Sequence, residues 1–80
     1  MVEIRYFAAM AEAVGKDREE LDFPPGATIA DLRSTLTSLY GAELEKRLAV
    51  CAFVVDDELT RDSGTALSPR VDVLPPFAGG

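Results

Sequence analysis

The chain contains no histidine and no tryptophan, and Cys51 is its single cysteine. Without histidine it cannot build a histidine-ligated zinc site or a Ser-His or Cys-His nucleophile pair. With one cysteine it cannot form an internal disulfide. No apolar run has the length of a signal-peptide core or a membrane-spanning helix, so we expect no membrane association and a cytoplasmic location.

Basic residues are also scarce. Eight Lys and Arg stand against fourteen Asp and Glu, which gives a formal net charge of −6 at pH 7. Affinity for nucleic acids comes mainly from cationic contacts with phosphates, so we expect no nucleic-acid partner. The acidity indicates either simple solubility or a basic protein partner.

The chain is short, at 80 residues, and its length limits what it can do alone. Its 48% hydrophobic and 28% charged residues predict one folded domain. A domain of this size buries only about 60–65% of its unfolded surface, which leaves little room for an enclosed pocket. We therefore expect no active site within this chain by itself.

Hydrophobic periodicity divides the chain into alternating strands and helices. In chain order, the pattern predicts a strand over 2–7, a short helix over 8–14, a strand over 19–23, a long helix between Thr28 and Gly41, a helical turn at Leu44 and Leu48, a strand over 50–55 buried on both faces, a turn at Asp56 and Asp57, a short segment around Leu59 and a last strand over 70–74.

The long helix carries the clearest local signals. Thr28 and Asp31 have the spacing of a capping box, and Gly41 is a stop signal. One apolar stripe at three- and four-residue spacing is predicted to cover a sheet; its members are Ile29, Leu32, Leu36 and Leu39.

This order of elements predicts an α+β domain, a ubiquitin-like β-grasp roll in which a mixed sheet is covered by one main amphipathic helix. The first and last strands should lie side by side and parallel at the centre. The residues expected to pack together there are Val2, Ile4, Val71, Val73, Leu32 and Leu36. We assign residues 1–74 to the domain and 75–80 to a flexible C-terminal tail.

Two groups of reactive side chains have simple structural explanations. Cys51 lies in the most apolar run of the chain, so we expect an inert thiol in the core. Consecutive carboxylates at Asp56, Asp57 and Glu58 lack the spacing of a calcium-binding loop and indicate a solvated turn, so no metal site is predicted.

Other side chains leave two interpretations open. Phe7 and Met10, where the first strand meets the first helix, either pack in the core or form an apolar patch that faces a partner. Arg5, Lys46 and Arg70 are either plain surface charges or partner contacts.

The end of the sequence, from Pro75 to Gly80, is its most informative segment. Pro75 and Pro76 cannot extend a strand ladder and stiffen the exit from the sheet. Six extended residues reach about 20 Å, enough to enter the active-site cleft of a partner. A narrow channel leaves no space for a Cβ atom, which explains glycine at the end, and the ionised Gly80 carboxylate would need activation by ATP on another enzyme.

Three segments resemble the family of molybdopterin synthase small subunits, and the likeness extends over essentially the whole chain. They are Ile4-Arg5-Tyr6-Phe7-Ala8, Thr28-Ile29-Ala30-Asp31-Leu32 and Leu74-Pro75-Pro76-Phe77-Ala78-Gly79-Gly80. The resemblance implies a β-grasp sulfur carrier without a stably bound cofactor. An adenylating enzyme, related to those that activate ubiquitin, would use ATP on the Gly80 carboxylate, which then becomes a thiocarboxylate.

The resemblance also implies a second partner, the large catalytic subunit of the synthase. The tail would insert into that subunit and deliver sulfur to cyclic pyranopterin monophosphate. The inserted residues would be Pro75, Pro76, Phe77, Ala78 and Gly79, with Gly80 at the reacting end. Two alternatives remain: a sulfur carrier for thiamine or another product, and a ubiquitin-like binding module or modifier whose tail carries no sulfur. The Gly-Gly end is common to all three, whereas the Pro-Pro pair favours the molybdopterin branch.

Overall fold

A computed structural model of the chain describes residues 1–76. Their elements are β1 (Val2–Tyr6), α1 (Ala9–Val14), β2 (Arg18–Leu21), α2 (Ile29–Tyr40), α3 (Ala42–Leu48), β3 (Ala52–Val55), β4 (Glu58–Thr60) and β5 (Arg70–Leu74). None of the helices formed by these residues combines the length and the apolar character that crossing a membrane requires.

The last strand lies at the centre of the sheet, whose order is β2-β1-β5-β3-β4. β1 and β5 are parallel, with Ile4 opposite Val71, and the other neighbouring strands are antiparallel. The predicted parallel pairing of the first and last strands is therefore confirmed. β5 is hydrogen-bonded on both sides, so the sheet cannot form without the C-terminal part of the chain.

The core lies between the inner face of the sheet and the helices α1, α2 and α3. Ile4, Leu32, Leu36, Val71 and Val73 are fully buried in one cluster, as the sequence predicted. Val2 is partly buried against the same cluster.

Cys51 also belongs to the core, as expected. It is 1% exposed, and its thiol donates a hydrogen bond to the carbonyl oxygen of Arg47 at 3.1 Å. Burial raises the pKa of the thiol, which keeps it protonated and unreactive near neutral pH.

Three predictions for α2 and β3 are wrong in detail. Leu39 is 55% exposed, and Tyr40 packs against the core in its place because its hydroxyl reaches toward β2. Val50 is 53% exposed and lies before β3, because the turn that ends α3 continues through it. In that turn the Val50 amide donates to the Arg47 carbonyl. β3 is not fully buried on both faces, since Val54 is half-exposed.

A polar cluster that the sequence did not reveal ties β2 and α2 to β1. The hydroxyls of Tyr6 and Tyr40 both donate to Oε2 of Glu19, at 2.5 and 2.7 Å. The ammonium group of Lys16 lies 3.5 Å from Oε1 of the same carboxylate. Burial alone would raise the pKa of Glu19, but the two tyrosine hydrogen bonds and the Lys16 charge outweigh it and lower that pKa below its ordinary value.

Candidate functional site

The sheet delivers the start of the tail to one end of the domain. Tyr6 pairs with Val73 in the parallel register, so Phe7 and Leu74 follow at the same end of β1 and β5. β5 ends at Leu74, and Pro75 and Pro76 then leave the ladder, the first half-buried and the second exposed. Proline lacks the amide N–H that a further ladder bond would need, which explains this end point.

The reacting part of the predicted site lies outside the described residues. It comprises Phe77, Ala78, Gly79 and Gly80. Their insertion into a partner and the chemistry of the Gly80 carboxylate stay predictions.

Apolar side chains lie on the outer face of the sheet, the face turned away from α2, close to this exit. Val54 pairs with Leu59, and both share a face with Asp72 of β5. Leu74 follows Asp72 by two residues and therefore lies on the same face. We call Phe7, Val54, Leu59 and Leu74 the exit patch; Leu59 is 69% and Phe7 38% exposed. Val54 and Leu74 are only partly exposed. Apolar side chains that reach the surface near one another are typical of protein contact surfaces.

The structure separates the two residues that the sequence placed together as a candidate patch. Phe7 is on the surface, but Met10 is 1% exposed and belongs to the core, so its assignment to a partner-facing patch is wrong. The reason is the geometry of α1: Met10 and Val14 are four residues apart, and both point inward. Leu59 and Leu74 were missed; the available signal was strand alternation, which places Leu74 on the same face as the charged Asp72.

A tight turn connects Phe7 to α1. The amide of Met10 donates to the carbonyl oxygen of Phe7 at 3.0 Å, and Ala8 between them has φ 49° and ψ −126°. This is a conformation that residues with a Cβ atom rarely adopt. The chain therefore holds backbone strain directly beside the exit patch.

An ion pair crosses the two central strands on the outer face. Nε and Nη2 of Arg5 donate to the two carboxylate oxygens of Asp72, at 2.7 and 3.0 Å. This hydrogen bond to Asp72 is the main reason why the pKa of Arg5 is raised. The Arg5 guanidinium also lies 5.5 Å from the centre of the Phe7 ring. Arg5 is thus engaged within the domain and borders the exit patch.

The other two basic candidates lie apart from each other. Arg70 begins β5 and is exposed at the opposite end of that strand from the tail. Lys46 lies on α3 with its ammonium group 3.8 Å from Glu43, and both side chains are more than three-quarters exposed. Such an exposed pair contributes little to stability.

The Asp56-Asp57 segment forms the predicted turn. It links β3 and β4, and both residues are exposed with positive φ angles of 52° and 66°. Within residues 1–76, no three His, Cys, Asp or Glu side chains come together as metal ligands.

Comparison with known proteins identifies the family to which this chain belongs. The family model described as the ThiS family matches residues 4–80. The chain belongs to the ThiS family. This ThiS-family chain is also 29% identical over 82 residues to the molybdopterin synthase sulfur carrier subunit of Caenorhabditis elegans, an alignment that covers 99% of the chain and 96% of the relative.

Solved structures agree with this assignment of the fold. SAMP1 from Haloferax volcanii is similar with a TM-score of 0.79 and 24% identity, over 99% of the ThiS-family chain and 98% of the other. A chain in the complex of subunits 1 and 2 of the molybdopterin-converting factor from Helicobacter pylori 26695 has a TM-score of 0.67 and 26% identity, over 99% and 97%. The predicted β-grasp roll and the resemblance to molybdopterin synthase small subunits are confirmed.

Proposed function

We propose that this ThiS-family chain is the sulfur carrier subunit of a molybdopterin synthase and that the Gly80 carboxylate carries the sulfur. The observation that carries the proposal is the point at which the central strand stops, six residues before Gly80. The central strand β5 stops at Leu74, Pro75 and Pro76 leave the ladder at that end of the sheet, and the Gly79-Gly80 pair follows them in the sequence. Similarity to a sulfur carrier subunit over 99% of the chain supports it.

The proposed chemistry starts from an unreactive group. A carboxylate is a poor electrophile at neutral pH, so a carboxylate oxygen of Gly80 first attacks the α-phosphorus of ATP and displaces pyrophosphate. Hydrosulfide released by a donor then attacks the acyl carbon, AMP leaves with the oxygen, and the new C–S group loses its proton. The result is a thiocarboxylate in which one sulfur has replaced one oxygen. The chain contributes the carboxylate and a tail end without Cβ atoms that would obstruct a narrow channel.

Two partners follow from this chemistry, an ATP-dependent adenylating enzyme and a large catalytic synthase subunit. The exit patch supports the second, because docking of a partner would bury this partly exposed apolar surface beside the end of β5 while the tail enters the catalytic cleft. In the similar Helicobacter pylori protein, subunit 1 forms a complex with subunit 2. The proposal needs no cofactor bound to this chain and fits a cytoplasmic site of action.

The deciding experiment measures the intact mass of the chain after incubation with ATP, a sulfur donor and the adenylating enzyme of the host. We expect a gain equal to the exchange of one oxygen for one sulfur, located at Gly80 by fragment sequencing. A variant that lacks Gly79 and Gly80 is the matched control: it should fold like the full chain, gain no sulfur and form no molybdopterin with the catalytic subunit.

Other outcomes would favour the two alternatives. Full molybdopterin formation by the variant without Gly79 and Gly80 would overturn the proposal. A thiocarboxylate that supports thiamine formation but not molybdopterin formation would assign the chain to another sulfur pathway. A Gly80 that gains no sulfur but forms isopeptide bonds with lysines of other proteins would identify a ubiquitin-like modifier, and a Gly80 that stays unmodified would indicate a binding module.

A further inference from the structure

A groove between α2 and α3 has no role in the proposed sulfur transfer. Its volume is about 490 Å³, and α2 lines it with Arg33, Ser34, Thr37 and Ser38, while α3 contributes Glu45. The groove lies on the helical side of the domain and includes no residue of the exit patch. A ligand bound there would leave the outer face of the sheet free.

Arg33 is the only cation among the residues that line this groove. Its guanidinium lies 5.4 Å from the ring centre of Phe53, a fully buried core residue. A cation over an aromatic face is held in position by the ring, so less side-chain entropy remains to be lost when a ligand binds.

The hydrogen-bonding capacity of Arg33 is not used within the described part of the chain. Its Nε is buried without a hydrogen-bond partner, and no ion pair within residues 1–76 includes this side chain. A buried donor without an acceptor is costly, and an oxygen ligand that reached it would relieve this cost.

We infer that the groove between α2 and α3 binds a phosphoryl group. The planar guanidinium of Arg33 matches two phosphoryl oxygens at once. The hydroxyls of Ser34, Thr37 and Ser38 supply further donors along the same groove. A phosphoryl group has enough oxygens to accept from a guanidinium and several hydroxyls together, whereas a carboxylate has only two.

The test is a titration of the full chain with inorganic phosphate at constant ionic strength. The readout is the amide chemical shift of each residue, measured by NMR at every phosphate concentration. We expect saturable shifts confined to residues 33–38 and 45–49, which an equal ionic strength of sodium chloride does not reproduce. The phosphoryl group could come from free phosphate or from a nucleotide, and a parallel titration with AMP separates these two sources. Tighter binding of AMP than of phosphate indicates a nucleotide. Shifts that chloride reproduces, or no saturable shift with either ligand, would overturn the inference.

Charge variants in the groove should change the affinity for phosphate in opposite directions. Arg33→Gln should weaken phosphate binding about tenfold, through loss of a charge-assisted bidentate contact. Glu45→Gln removes a negative charge from the groove and should strengthen binding about twofold. Arg61→Gln is the matched control, because Arg61 is exposed, lies outside the groove and changes the net charge equally. Equal weakening by the Arg33 and Arg61 variants would show general charge attraction and contradict a built site.

A further variant separates binding from folding. The double substitution Ser34→Ala and Thr37→Val keeps Arg33 on Phe53 but removes two hydroxyl donors, and we expect it to weaken phosphate binding about threefold with an unchanged melting temperature. Unchanged phosphate affinity in this variant would contradict the hydroxyl contacts that the inference requires.

Discussion

At the scale of single residues, Glu19 shows how one side chain joins distant parts of the chain. Its carboxylate accepts from Tyr6 and Tyr40, which are 13 and 21 residues away. The side chain is 13% exposed, so water competes weakly for these hydrogen bonds. Burial and the hydrogen bond to Glu19 also raise the pKa of Tyr6, which therefore stays protonated as a donor throughout the neutral range.

Replacing Glu19 should therefore destabilise the protein in a pH-dependent way. Because folding lowers the pKa of Glu19 below 4.5, its stabilisation is complete above that value and is lost as the pH falls through the folded pKa. We expect Glu19→Gln to lower the free energy of unfolding by about 1–2 kcal/mol at pH 7. Urea unfolding at pH 7 and pH 3 measures this; the difference between Glu19→Gln and the unmodified chain should shrink at pH 3.

Glu20 provides the control for this experiment, since it is an exposed neighbour on the same strand. Glu20→Gln should change stability by less than about 0.5 kcal/mol at either pH. If the free energies of unfolding of Glu19→Gln and the unmodified chain differ by the same amount at pH 7 and pH 3, the role given to the Glu19 charge is contradicted.

Ala8 allows a second test at the residue scale. Its φ of 49° with ψ of −126° suits glycine, so Ala8→Gly should raise the free energy of unfolding by about 0.5–2 kcal/mol. Ala9→Gly, at the first position of α1, should instead lower it by up to about 1 kcal/mol. Thermal unfolding of both variants checks the prediction, and destabilisation by Ala8→Gly would show that the turn is not strained.

At the scale of elements, the hairpin of β3 and β4 rests on an unusual pair of turn residues. Val55 pairs with Glu58, so Asp56 and Asp57 form a two-residue connection, and both have positive φ. These features define a type I′ turn, in which Asn-Gly and Asp-Gly are the favoured pairs. The amide of Asp56 donates to the Ser68 hydroxyl at 3.3 Å, which anchors the turn to the domain.

Glycine at the second turn position should stabilise this hairpin. We expect Asp57→Gly to raise the free energy of unfolding by about 0.5–1 kcal/mol, because glycine adopts positive φ without a steric penalty. Asp57→Ala is the matched comparison, and it should destabilise the chain since alanine lacks both that freedom and a polar group. Chemical denaturation measures the free energy of unfolding of Asp57→Gly, the unmodified chain and Asp57→Ala, which should decrease in that order. The reverse order would refute the turn assignment.

At the scale of the whole molecule, the parallel pairing of β1 with β5 makes folding depend on both ends of the domain. A chain that ends at residue 68 lacks β5 and leaves β1 and β3 without their shared neighbour. We expect it to be unfolded by circular dichroism, whereas a chain that ends at residue 76 should keep the melting temperature of the full protein. A folded chain of 68 residues would contradict the central role of β5.

Much of the fold could be predicted because its signals are local. The capping contact of Asp31 with the Thr28 amide, at 2.8 Å, spans three residues. The last strand was predicted with its observed bounds, because a polar-apolar alternation ends there at two prolines. The order of these elements then limited the topology to few choices, and the parallel central pair followed from it.

By itself, the sequence determined which elements form, the β-grasp order and the composition of the tail, since these depend on neighbours within a few residues. Tertiary structure alone decided that Phe7 is exposed while Met10 is buried, and that Tyr40 replaces Leu39 against the core. It also brought Arg33 over Phe53 and gathered the exit patch from separate strands. These outcomes depend on which surfaces the packed sheet and helices cover, and residues far apart in the chain supply those surfaces.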